Sequence, residues 1–145
     1  MLQKSFYLDS CIWLNLFKKE GDPTKGIPYW KIAKDFIEKV LFSNNEEIIY
    51  SGLILKELKF ILDESTYKEK LLFFEEENFK FVKTTEEDYS FARKLESELN
   101  YELSFYDCLH IAICKRLNLI LVTRDEILIK FAKNYILVDK PENLM

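Results

Sequence analysis

Glycine, proline and cysteine occur three times each in 145 residues, and histidine once. So few chain breakers, beside 32% charged residues, exclude a low-complexity or linker-rich chain. Cys11, Cys108 and Cys114 are odd in number and lack C-x-x-C spacing. They suggest neither a secreted disulfide framework nor a thiolate zinc site, and are expected as reduced, buried, small hydrophobes. No G-x-S-x-G elbow accompanies the lone His110, which argues against a Ser-His-Asp hydrolase. The apolar runs, such as Leu119-Ile120-Leu121-Val122 and Leu53-Ile54-Leu55, are broken by charge and fall far short of the ~20 residues that cross a bilayer. No secretory leader is evident before the first apolar segment, so a cytoplasmic protein with no membrane partner is expected.

What is present is apolar. Hydrophobic residues make up 48% of the chain, enough for one sizeable core, and a single domain over 1–145 is expected. The net charge of −4 is unfavourable for holding phosphates with clustered lysine and arginine. A cluster of metal-binding carboxylates would itself contribute to that charge, and bound cations would reverse its local sign.

Apolar runs and helical periodicities alternate along the chain. Ser5 to Leu8 reads as a strand ending at Asp9, and Cys11 to Phe17 as a helix before the Gly21-Asp22-Pro23 break. Ile27 to Phe42 has apolar residues at helical spacing, with Pro28 suited to its first turn. Glu47 to Ser51 suits a strand, broken by Gly52 before a helix from Leu53 to about Leu62. Thr66 to Glu77 is expected as a helix and Phe79 to Val82 as a strand. Thr85 is placed to cap a helix running to about Leu99, with Glu86, Glu87 and Asp88 in its first turn. A helix from about Ser104 to Leu117 follows, then a strand over Leu119 to Val122, a helix over Asp125 to Lys133 and a last strand at Ile136 to Val138. This alternation predicts an α/β domain around a mostly parallel sheet.

Acidic residues stand in costly places. Asp9 and Asp125 each follow an apolar strand, at the rim where α/β sheets gather their sites. Either alone would also serve as an ordinary helix N-cap. Glu57 has Leu53, Ile54, Phe60 and Ile61 at helical spacing, so it interrupts an apolar stripe. An unpaired carboxylate there costs several kcal/mol by rough estimate, which calls for a cation, a shifted pKa or a salt bridge such as one from Lys56 or Lys59. Asp107 lies on a helix that is apolar almost all round, though it also suits that helix's N-terminal end. Hard oxygen ligands of this kind suit Mg²⁺ or Mn²⁺. His110, one turn after Asp107, is expected to pack beside such a site rather than ligate.

Around these residues the sequence resembles the PIN domain, the nuclease fold of the VapC toxins of toxin-antitoxin pairs. The resemblance rests on Tyr7-Leu8-Asp9-Ser10, on Ile54-Leu55-Lys56-Glu57-Leu58, on Leu103 to Asp107 running into Leu109-His110-Ile111-Ala112, and on Val122-Thr123-Arg124-Asp125. It implies a three-layer α/β/α fold with a five-stranded parallel sheet of order 3-2-1-4-5. It implies further that Asp9, Glu57, Asp107 and Asp125 hold Mg²⁺ or Mn²⁺ for hydrolysis of RNA phosphodiester bonds, with the Ser10 and Thr123 hydroxyls in support. Lys18, Lys19, Lys56 and Arg124 become candidates for RNA phosphate contacts, against a plainer role as solvated surface charges.

An antitoxin protein is the partner this resemblance implies, and a homodimer is an option. Trp13, Trp30 and Phe17 would serve either such interface or, more ordinarily, the core. Other readings are an RNA-processing nuclease outside a toxin-antitoxin system and a protein-binding module with a vestigial site. An aspartyl-phosphate phosphatase would need a second Asp where Cys11 stands.

Overall fold

The computed structural model describes residues 3–145. Strands β1 (Lys4–Leu8), β2 (Glu46–Ser51), β3 (Phe79–Val82), β4 (Ile120–Val122) and β5 (Val138–Asp139) form one all-parallel sheet of order β3-β2-β1-β4-β5. The helices are α1 (Ser10–Phe17), α2 (Tyr29–Leu41), α3 (Gly52–Ile61), α4 (Glu64–Lys70), α5 (Glu86–Glu98), α6 (Phe105–Leu117) and α7 (Glu126–Ala132).

Strand β1 shows why helices must cover both faces. Successive strand residues point to opposite sides, yet Phe6, Tyr7 and Leu8 are all buried. Phe6 meets Phe36 of α2 edge-on at 5.1 Å, while Tyr7 on the other face meets His110 of α6. The result is the expected α/β/α layering. Helix α2 buries Ala33, Phe36, Ile37 and Val40, the stripe its periodicity predicts. Helix α6 buries every residue from Cys108 to Cys114 and is the central helix.

The chain winds from β1 to β2 to β3, then returns to the other side of β1 as β4. The order therefore reverses between β1 and β4, and the carboxyl ends of those strands open a crevice. Asp9 follows β1 and Thr123 follows β4, each at that crevice.

Three expectations shift. The helix expected over Thr66 to Glu77 ends as α4 at Lys70 and continues as a 3₁₀ segment, Leu71–Glu75. Leu71-Leu72-Phe73-Phe74 are consecutive apolar residues without helical spacing, and only Phe74 is buried. The last strand lies at Val138–Asp139 rather than Ile136 to Val138; Leu137 is exposed on a short edge. Pro28 is the N-cap of α2, not a first-turn residue, because its extended backbone still leads into the helix.

Candidate active site

Asp9 caps α1 and is almost buried. Its Oδ1 accepts the Ser10 main-chain N–H at 2.8 Å and its Oδ2 accepts the Thr123 hydroxyl at 2.9 Å. Thr123 Oγ1 also accepts the Asp125 N–H at 3.1 Å, so one buried hydroxyl ties two strand ends together. Ser10 thus reaches Asp9 through its main-chain N–H and Thr123 through its hydroxyl. Cys11 is half-buried beside them, its thiol 3.5 Å from Asp9 and 3.4 Å from Thr123. Burial, then the Asp9 charge, pushes that thiol up to about 12, so it stays protonated.

Glu57 meets neither Lys56 nor Lys59. Its Oε1 lies 2.8 Å from His110 Nε2, and His110 Nδ1 lies 2.7 Å from the Tyr7 hydroxyl, itself 2.8 Å from Ser51 Oγ. Ser51 Oγ in turn accepts the Ile54 N–H. Directions follow if the imidazole is neutral: Ser51 donates to Tyr7, Tyr7 to Nδ1, and Nε2–H to Glu57. Burial opposes charge on His110, but the Glu57 hydrogen bond and the fields of Asp9, Glu57 and Asp107 outweigh it and raise its pKa. Burial also raises the Tyr7 hydroxyl well above its usual value.

Helix α6 supplies Asp107 one turn before His110, with Ser104 capping its N–H at 3.1 Å. Burial first, then the Asp9 charge, pushes the Asp107 carboxyl up to about 6; Asp125 adds to this and His110 opposes it. Asp125 is exposed and caps α7, its Oδ1 accepting the Ile127 and Leu128 N–H groups. Asp9, Glu57 and His110 each bring a ligand atom to within 4.8 Å of the others. Asp107 and Asp125 join them through charge rather than through that tight grouping.

The donor chemistry suits a hard divalent cation. Carboxylates converge where their mutual repulsion already shows in Asp107, and a cation would relieve it. His110 Nε2 is engaged with Glu57, which leaves oxygen atoms as the main donors.

The basic candidates divide. Lys18, Lys19 and Lys56 are exposed. Arg124 is instead drawn inward: its guanidinium pairs with Glu142 at 2.9 Å and stacks over Tyr29 at 4.1 Å, so phosphate binding by Arg124 would first have to break that pair. Trp13 is fully buried, stacked on Phe17 at 5.8 Å, and belongs to the core. The Tyr7–Ser51 link to His110 went unforeseen. Its one sequence signal is a tyrosine inside a core strand, whose hydroxyl must find a partner.

A parallel sheet whose order reverses over a carboxylate cluster defines a class of α/β protein, and comparison gives its family. The PIN domain family model matches residues 6–134, and the chain belongs to that family. No curated protein matches the sequence. Solved structures that share the fold include VapBC2 from Rickettsia felis bound to a DNA fragment from their promoter, with TM-score 0.69, 18% identity, and coverage of 94% of this chain and 98% of that one. DNA-bound VapBC from Salmonella typhimurium aligns at TM-score 0.63 and 15% identity, over 97% of this chain and 99% of that one. VapC20 of Mycobacterium tuberculosis, described as a Sarcin-Ricin loop cleaving toxin, aligns at TM-score 0.59 and 13% identity, over 87% and 95%.

Proposed function

We propose that the chain is a Mg²⁺- or Mn²⁺-dependent endoribonuclease and the toxin of a toxin-antitoxin pair. The observation that carries this reading is the meeting of Asp9, Glu57 and His110 within 4.8 Å at the sheet's switch point, with Asp107 close enough for Asp9 to raise its pKa. Family membership supports nuclease chemistry. Similarity to the VapBC complexes, to a toxin-antitoxin complex from Klebsiella pneumoniae and to the Sarcin-Ricin loop cleaving VapC20 supports an antitoxin partner and an RNA substrate.

In this reading Asp9, Glu57, Asp107 and Asp125 hold the cation. When bound, such a cation offsets charge on the phosphate and leaving oxygen and acidifies water. Thr123 and the Ser10 N–H keep Asp9 in one orientation, and His110 does the same for Glu57. Asp107 must give up its proton before it can serve as a ligand. The Asp125 oxygen that caps α7 fixes that carboxylate at the rim.

The test is cleavage of RNA by the purified chain with Mn²⁺ or Mg²⁺, beside Asp9→Asn and Asp107→Asn variants. Cleavage that needs the metal and falls at least ~100-fold in both variants is expected. Equal cleavage by the variants, or cleavage in chelator, would contradict the assignment. Growth arrest on expression, relieved by a small co-expressed neighbour, is the expected sign of a toxin; harmless expression would count against that role.

A further inference from the structure

Beside the acidic cluster, at the same end of the sheet, a groove of about 510 Å³ opens between α3, the end of β3, α5 and α6. We propose that it is a single-stranded RNA subsite, seating nucleotides that flank the scissile phosphate. The proposal rests on the nuclease reading above and adds the groove and the residues that hold the flanking nucleotides.

The groove joins two kinds of group. Lys56, Lys83 and Arg93 line it, and no carboxylate does among the described residues, although the whole chain carries −4. Interleaved with the cations are Tyr89, Phe105 and Tyr106. The Arg93 guanidinium lies 4.1 Å over the Phe105 ring and the Lys56 ammonium 5.8 Å over Tyr106. Tyr89 and Phe105 lie nearly parallel, 14° apart with centroids at 6.3 Å. Tyr89 and Tyr106 remain about half exposed, at 48% and 45%. Arg93, itself exposed, also lies 3.8 Å from Glu96 of α5, whose side chain is mostly covered, so a phosphate would compete with that carboxylate for it.

Alternation of ring faces with cations is the chemistry that holds single strands: bases stack on aromatics while lysine and arginine meet the phosphates. A duplex offers no free base faces, so the rings select unpaired nucleotides. The groove is also continuous with the site in sequence and space. Lys56 precedes Glu57 on α3, and Tyr106 precedes Asp107 on α6. A strand whose phosphate sits at the carboxylates would have its next bases over Tyr106 and Phe105. An acidic protein segment could meet the same cations, but it would leave the exposed rings without stacking partners.

The test is fluorescence anisotropy of a labelled, non-cleavable 2′-O-methyl oligouridine of about eight nucleotides, bound to the full chain in Mg²⁺. Tyr106→Ala and Lys83→Ala are each expected to weaken binding about tenfold, and Tyr106→Phe to stay within about twofold of the parent. Lys83→Ala should also lower the slope of log affinity against log salt by about one. Equal affinity in both alanine variants would overturn the subsite, as would a base-paired hairpin bound as tightly as the single strand. Binding of a polyglutamate peptide that Lys83→Ala abolishes, with no binding of oligouridine, would overturn it in favour of an acidic protein partner. Failure here is separable from failure of the nuclease reading. RNA cleavage with unaltered oligouridine binding in the variants removes only the subsite, and groove-dependent binding without metal-dependent cleavage removes only the catalysis.

Discussion

His110 carries more of the site than its sequence position suggests. Buried completely, it spans the distance from the Tyr7 hydroxyl to Glu57. Removing it leaves a cavity and strands two polar partners, so His110→Ala should destabilise the fold by about 2–4 kcal/mol, read from the urea midpoint. Glu57 itself was singled out for an apolar stripe that is only half real: Leu53 and Ile54 are buried, but Phe60 and Ile61 are exposed. The carboxylate sits on the boundary of the core, and its partner is a histidine from 53 residues away. No local pattern encodes such a pairing. Asp107 gives a second residue-scale test. Because the Asp9 charge helps hold its carboxyl at about 6, Asp9→Asn should lower that pKa, as seen by carboxyl NMR titration; an unmoved value would mean that burial alone sets it. The raised acid also fixes a sign for stability. Below the unfolded value near 3.9 both states are protonated, and between there and about 6 only the native state keeps the proton. The metal-free protein should therefore lose stability as pH rises through that window, a loss that Asp107→Asn removes from denaturation curves.

At the scale of elements, β1, α2 and α6 were legible because each carries a strong period or an unbroken apolar run over its buried face. The stretch from Leu71 to Glu75 and the bounds of strand β5 were not, since short segments at the edge take their conformation from neighbours rather than from their own pattern. The packing of α5 on α6 rests on a further feature. Asp88 closes a capping box with Thr85 and is buried against Arg116, whose Nε and Nη2 donate to it at 2.9 and 3.0 Å. Burial alone would raise this carboxyl, but the Arg116 and Thr85 bonds lower it on balance. Its stabilising effect is present above the unfolded value near 3.9 and is lost as pH falls through the lower folded value. Arg116→Ala leaves a buried carboxylate with only its Thr85 N–H bond and should cost about 2–4 kcal/mol in equilibrium unfolding. Little loss would show that Asp88 is satisfied by the capping box alone.

For the whole molecule, the topology places both halves of the chain on one crevice: β1 and α3 bring Asp9 and Glu57, and α6 and the end of β4 bring Asp107, His110 and Thr123. Family and sheet order were readable from four short motifs, while the wiring between them needed the fold. A cation bound across these halves binds the native state alone, so Mn²⁺ at about 100 times its dissociation constant should add about 2.7 kcal/mol of stability, absent in Asp9→Asn. The most direct measurement is anomalous diffraction from crystals grown with Mn²⁺. A peak bounded by the carboxylates of Asp9, Glu57 and Asp107 is expected, and one that vanishes in Asp9→Asn. A fully formed pocket with no peak, or Mn²⁺ bound only elsewhere on the chain, would contradict the account.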